Sequence, residues 1–278
     1  MDCPILKSIY NPAERIIVIG DLHGDYRVLI RALEISKLIR PFRECKKIRW
    51  IGGRTHLVQL GDIMDRYRGS STDGDEMSEL KMYKILFDLQ DQAKEDGGYV
   101  HLILGNHELM NIKSDFRYVS TEGHQDFAEY GGRLNALRPG GPFNQLMVCR
   151  MLSAVQIGSL IFSHAGITYK ISKLGIQNLN LKVQKMIQTG IYDPEILNTF
   201  WHRDYSSDPS KCHLLNRSLS NLKASGMIVG HSIHPYINSA CNKRIWRVDT
   251  GMSSAFGKNR NINVLEIING VEFNILKS

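Results

Sequence analysis

The chain has 278 residues, 42% of them hydrophobic and 23% charged, which suits a globular protein with a buried core. Its formal net charge of +7 is mild, and no basic run interleaved with aromatics marks a nucleic-acid surface; the densest basic stretch, residues 43–49, is short. No apolar run approaches the roughly 20 residues of a membrane helix, and no basic flank followed by an apolar stretch marks a signal peptide.

In chain order, the first predicted element is a short β-branched strand at 15–20, stopped by Gly20. A helix is predicted over 25–39, with apolar residues at helical spacing and Pro41 just beyond. A second strand at 55–61 is followed by a helix over 74–97 that opens on acidic residues and closes at a glycine. Further strands are predicted at 99–105, 159–163, 226–230, 244–249 and 262–268. The alternation of strand and helix predicts an α/β fold with its sheets covered by helices. The whole of 1–278 is expected to form one domain, with helical and loop insertions near 111–151 and 169–225. Cys3, Cys45, Cys149, Cys212 and Cys241 are odd in number, scattered and without a C-x-x-C pair. That spacing predicts reduced thiols, no disulfide framework and a cytoplasmic, reducing compartment.

The residues just past each strand carry the functional signal. Asp21 and His23 come after the first, Asp62, Asp65 and Arg66 after the second, Asn106 and His107 after the third, His164 after the fourth and His231 after the fifth. Any one of these alone reads as a turn or a helix cap. Five in succession predict that donor groups gather at the carboxyl edge of one sheet, where α/β proteins build their sites. Carboxylate, amide and imidazole donors without thiolate suit Mn, Fe or Zn. Two such ions, roughly 3.5–4 Å apart, could clamp a phosphoryl group and share a hydroxide as nucleophile. Asp21, His23 and Asp62 are assigned to a first ion, and Asp62, Asn106, His164 and His231 to a second, with Asp62 as bridge. His107 is the candidate general acid, Asp65 the carboxylate that keeps it protonated, and Arg66 a planar fork for phosphate oxygens.

These segments resemble a known family. "GDLHGD" at 20–25, "GDIMDR" at 61–66, "GNHE" at 105–108, "SHAG" at 163–166 and "GHS" at 230–232 are similar to the signatures of calcineurin-like metallophosphoesterases, in their phosphoprotein phosphatase branch. "GNHELMNIKSDFRYV", "RPGGPFNQLM", "FWHRDY" and "VDTGMSSAFG" resemble the Shewanella-like protein phosphatases. The resemblance implies a four-layer fold, a central β-sandwich flanked by helices with a dinuclear site at the strands' carboxyl ends. It implies two divalent or trivalent ions (Mn, Fe or Zn) and phosphomonoester hydrolysis on phosphoserine, phosphothreonine or phosphotyrosine proteins. It also implies phosphate contacts from Asn106 and Arg203. No nucleic-acid or membrane partner is expected, and oligomeric state is left open. Departures include Ala165 in place of a usual glycine, and Tyr67 and Arg68 after Arg66, where glycine is usual; these could narrow the pocket or add a cation near substrate. The second histidine of "GHSIHP", His234, falls one place too late for the G-H-x-H of phosphodiesterase and nuclease relatives. His56, His101, His124, His202 and His213 read as structural or exposed. Two alternatives stand beside this reading: a dinucleoside polyphosphate hydrolase, and a metal-free binding module on the same scaffold.

Overall fold

A computed structural model describes residues 3–43, 47–69, 77–257 and 261–278. Two six-stranded sheets form its centre. One runs in the order β12 (Glu272–Lys277), β11 (Asn263–Ile268), β2 (Arg15–Ile19), β3 (His56–Gln59), β4 (Tyr99–Ile103) and β5 (Met151–Leu152). The other runs β1 (Ile9–Tyr10), β6 (Ala154–Ile157), β7 (Leu160–Ser163), β8 (Gly226–Val229), β10 (Ile245–Arg247) and β9 (Asn238–Ala240). β2, β3 and β4 are parallel, and so are β7, β8 and β10.

Alternate residues explain the layering. Ile16 and Val18 of β2, Leu160 and Phe162 of β7, and Ile228 of β8 meet in the cluster between the sheets. Their neighbours Ile17, Ile19, Ile161, Met227 and Val229 face the other way, into the cluster shared with the helices. Both faces of each strand are therefore buried, which is why the strands read as unbroken apolar runs. Helices α1 (Tyr26–Ile35) and α2 (Glu79–Glu95) contribute Leu29, Leu33, Met82 and Leu86 to that outer cluster, and the helices Ile176–Thr189 and Cys212–Leu222 contribute Val183 and Leu219.

Helix ends differ from the predicted ones for local reasons. Asp25 caps α1 through Val28 N. The helix stops at Ile35 instead of 39 because the Ser36 hydroxyl takes the Ala32 carbonyl at 2.6 Å and Lys37 turns left-handed at φ 54°. Met77, also left-handed at φ 50°, prevents α2 from beginning before Ser78; the predicted residues 74–76 lie outside the described residues, as do 44–46 of the basic stretch.

Two expectations are corrected here. The ligand-bearing strands belong to two sheets, β2, β3 and β4 in one and β7 and β8 in the other, so the donors converge across the sandwich and not along one sheet edge. The cysteines also pair: Cys3 with Cys149 at a Cα separation of 5.0 Å, and Cys212 with Cys241 at 5.3 Å. Partners 146 and 29 residues apart leave no spacing motif, because only the folded chain brings them within disulfide range. With these four thiols paired, cysteine usage gives no support to a reducing compartment; Cys45 lies outside the described residues. Among the described residues, no helix is long and apolar enough to cross a membrane.

Candidate metal centre

The turns after β2, β3, β4 and β8 open onto one cavity of about 450 Å³. His23, Asp62, Asp65 and His231 all have positive φ, between 44° and 70°. Such backbone costs about 1–3 kcal/mol per residue and persists where the surroundings impose it. Glu108, in α3 (Asn106–Ile112), does much of the imposing. Its carboxylate accepts from the backbone N–H groups of Gly105 (2.7 Å), Asp62 (2.9 Å) and Ile63 (2.9 Å) and from the Tyr83 hydroxyl (3.0 Å). One buried side chain thus ties the turn after β3 to the turn after β4. Burial and the nearby Asp62 push its pKa up to about 7.

Asp62 lies between two groups of donors. Its Oδ2 is 3.8 Å from His23 Nε2, which is also 4.0 Å from Asp21 Oδ2. Its Oδ1 is 3.4 Å from His164 Nε2, which in turn lies 2.9 Å from Asn106 Oδ1 and 3.2 Å from His231 Nδ1. The structure therefore brings together Asp21, His23, Asp62, Asn106, His164 and His231. A methyl group at Gly230 would collide with Asp21 Oδ1, and one at Gly105 with Asp62 Oδ1, so both carboxylates occupy space that only glycine leaves.

The hydrogen bonds on the far side of each ring fit metal binding. His23 Nδ1 faces the Met64 carbonyl at 3.2 Å, His164 Nδ1 the Leu60 carbonyl at 2.8 Å, and His231 Nε2 the Trp201 carbonyl at 3.1 Å. Each carbonyl accepts from the protonated nitrogen and leaves the other nitrogen's lone pair facing the cluster. Burial lowers all three: His23 well below the usual imidazole range, further depressed by His107 and Arg68; His231 to about 3, with His164 adding; and His164 itself. A lowered pKa favours the neutral imidazole, the form that ligates. Asp21, by contrast, is pushed well up by burial and by Asp249 and Asp62. Carboxylates crowded like this call for cations among them.

His107 is the exception among the imidazoles. Burial opposes its charge, but Asp62 and a 2.8 Å hydrogen bond from Nδ1 to Asp65 Oδ2 outweigh it, and its pKa is raised. Its Nε2 remains 3.9 Å from Asp62 Oδ2. His107 also belongs, with His23 and Asp62, to a group of donor atoms within 4.8 Å of one another, a place the motif spacing gives to Asp21. Asp65 is fixed in turn by Asn111 Nδ2 (2.8 Å) and by Arg133 Nη2 (3.2 Å), whose Nη1 pairs with Glu79 at 2.7 Å.

The candidate phosphate contacts separate. Arg203 lines the cavity, with Nη1 donating to the His231 carbonyl (2.9 Å) and the Ser232 hydroxyl (3.1 Å). Arg66 does not line it: this residue is 6% exposed, and its side chain donates to Ser254 Oγ at 2.6 Å and lies 4.0 Å from Asp25 Oδ2. Arg68 lines it instead. Sequence reasoning gave no role to Asp249, Glu108 or Arg133. Asp249 stands just beyond β10, so the same strand-end pattern would have found it; Arg133 has no local signature.

The chain is similar to known proteins. A model of the calcineurin-like phosphoesterase family matches residues 14–235. Shewanella-like protein phosphatase 2 of Arabidopsis thaliana is 30% identical over 303 residues, covering 90% of this chain and 74% of that protein. Shewanella-like protein phosphatase 1 of Plasmodium berghei is 32% identical over 274 residues, covering 89% and 71%. Among solved structures, a cold-active protein tyrosine phosphatase superposes with a TM-score of 0.78 at 22% identity, over 98% of this chain and 81% of that one, a likeness of fold.

Proposed function

The chain belongs to the calcineurin-like phosphoesterase family and is a phosphatase, and from that premise we propose that it hydrolyses phosphomonoesters on proteins, phosphotyrosine ahead of phosphoserine and phosphothreonine, with His107 as general acid. The observation that carries the reading is the division among four clustered imidazoles: His23, His164 and His231 are lowered and tied to carbonyls, while His107 is raised and tied to a carboxylate. The first three are equipped to ligate and the fourth to donate a proton.

Divalent metal ions belong to this family's chemistry, and the donor set fits a pair of them. Asp21, His23 and Asp62 would hold one, and Asp62, Asn106, His164 and His231 the other; the absence of thiolate suits Mn, Fe or Zn. When bound, such a pair supplies an activated water and neutralises charge on the phosphoryl group. The protein's own groups do the rest. Arg203 donates to a phosphate oxygen from one wall of the cavity. His107 Nε2 hands its proton to the departing oxygen while Asp65 steadies the ring through Nδ1. Asp62, fixed by its own backbone N–H to Glu108 and by His107 N at 3.0 Å, keeps both donor groups in register.

The preference for phosphotyrosine is supported by the walls. Met110, Tyr118, Trp201, Ile233 and Phe256 line the cavity around the polar floor. An aryl ring crossing it buries apolar area that a short serine stem cannot. Mn-loaded protein assayed on peptides of matched flanking sequence should turn over phosphotyrosine at least about tenfold faster in kcat/KM. Equal or reversed rates would remove the preference. Turnover surviving chelation and dialysis, or diadenosine tetraphosphate cleaved faster than any phosphopeptide, would remove the proposal as a whole.

A further inference from the structure

Arg66 and Arg68 stand two residues apart in the turn after β3, and their side chains part company. Arg66 is buried against Asp25 and Ser254. Arg68 reaches the cavity, its guanidinium carbon 4.8 Å from the Phe256 ring centre and 5.2 Å from that of Tyr118. Nη1 donates to the carbonyls of Asp65 (2.9 Å) and Tyr67 (2.8 Å). The turn itself is fastened to the Tyr118 loop by a hydrogen bond from Tyr67 N to the Tyr118 carbonyl at 2.9 Å.

Resting on the phosphatase reading above, we propose that Arg68, in place of Arg66, is the residue that grips the substrate phosphate, in the cavity that Arg203 also lines. Charge argues for it. Arg117 also lines the cavity, but it is paired with Asp115 at 2.8 Å. Arg68 and Arg203 bond carbonyls and a hydroxyl, none of which cancels a positive charge. A dianion approaching the carboxylates of Asp62 and Asp249 meets its attraction in these two side chains.

The chemistry of His23 argues the same way. Its Nδ1 is 2.9 Å from Arg68 Nη2 and 3.2 Å from the Met64 carbonyl. One nitrogen cannot accept from the arginine and donate to the carbonyl together. The tautomer that leaves Nε2 free beside Asp21 and Asp62 carries its proton on Nδ1 and donates to Met64. In that tautomer Arg68 Nη2 needs another acceptor, and a phosphate oxygen in the cavity supplies one. The rings of Tyr118 and Phe256 keep the planar fork oriented while its partner changes.

The test is calorimetric titration of inorganic phosphate into Mn-loaded full-length protein, with metal content measured on the same samples. Arg68→Met should weaken phosphate binding by about 10- to 100-fold, the loss of a charge-assisted pair, without lowering metal content. Arg68→Lys should recover part of the loss, and Arg66→Met should stay within about threefold of wild type; where methionine unfolds the turn, Arg66→Lys takes its place. Binding by Arg68→Met within twofold of wild type, an equal loss from the Arg66 variant, or no binding by the wild type would each overturn the assignment. Binding is read without turnover, so a wild type that captures phosphate but hydrolyses no phosphoprotein would defeat the functional reading alone.

Discussion

Replacing Asp65 with asparagine keeps the side chain's shape and removes its charge. Asp65 Oδ2 accepts from His107 Nδ1 at 2.8 Å. A hydrogen bond to a charged group contributes about 1.5–3 kcal/mol, and one pKa unit corresponds to about 1.4 kcal/mol. The pH at which His107 gives up its proton should therefore fall. The fold should tolerate the change, because Arg133 keeps its 2.7 Å pair with Glu79. A general acid works while protonated, so activity declines as pH rises through its pKa; His107 is raised by Asp62 and Asp65, and removing Asp65 moves that declining limb to lower pH. The assay is kcat/KM against pH for Mn-loaded protein, on a phosphotyrosine peptide and on para-nitrophenyl phosphate. Tyrosine's oxygen, with a pKa near 10, needs a proton to leave, whereas para-nitrophenolate is a far weaker base. The expected loss at neutral pH is about 10- to 100-fold on the peptide and smaller on the aryl ester. An unmoved limb, or equal losses on both substrates, would show that Asp65 does not act through His107.

Three further outcomes test the scaffold. Gly105→Ala puts a methyl group on Asp62 Oδ1 and within 2.9 Å of Glu108 Oε2, so it should cost about 1–3 kcal/mol in urea denaturation and lower metal content together; a loss of stability with full metal content would mean the turn relaxes elsewhere. Cys212→Ser opens a cross-link spanning 29 residues and should lower unfolding free energy by about 3–4 kcal/mol, read from the denaturant midpoint. Burial, with Lys7 adding, holds His56 down to about 4, against an ordinary value of 6.5. The unfolded chain therefore binds the extra proton between these values, and stability should fall as pH drops from 6.5 towards 4; His56→Gln should flatten that slope in urea midpoints measured at each pH.

The strands and their donor-bearing ends were readable because both depend on adjacent residues: a β-branched run, a glycine, then a ligand. Their partition between two sheets was not, since pairing of β2 with β3 and β4, and of β7 with β8, is decided by partners far away in the chain. Edge strands such as Asn238–Ala240 carry no apolar run to announce them. The two arginines show the limit most sharply. The strand-end motif "GDIMDR" pointed to Arg66, yet its side chain turns to Asp25 and to Ser254, 188 residues later. Glu108 was visible as a letter of "GNHE", but its role as a common acceptor for two turns exists only once β3 and β4 lie side by side.

Because Asp62 and Asn106 succeed strands of one sheet while His164 and His231 succeed strands of the other, the donor set proposed for the second ion is shared between the layers. Occupancy of the centre would then act as a clasp on the sandwich, rewarding only conformations in which the layers are seated against each other. Ill-fitting substitutions at Val58, Phe162 or Ile228, deep between the sheets, would surface as weakened cation affinity with every ligand still in place.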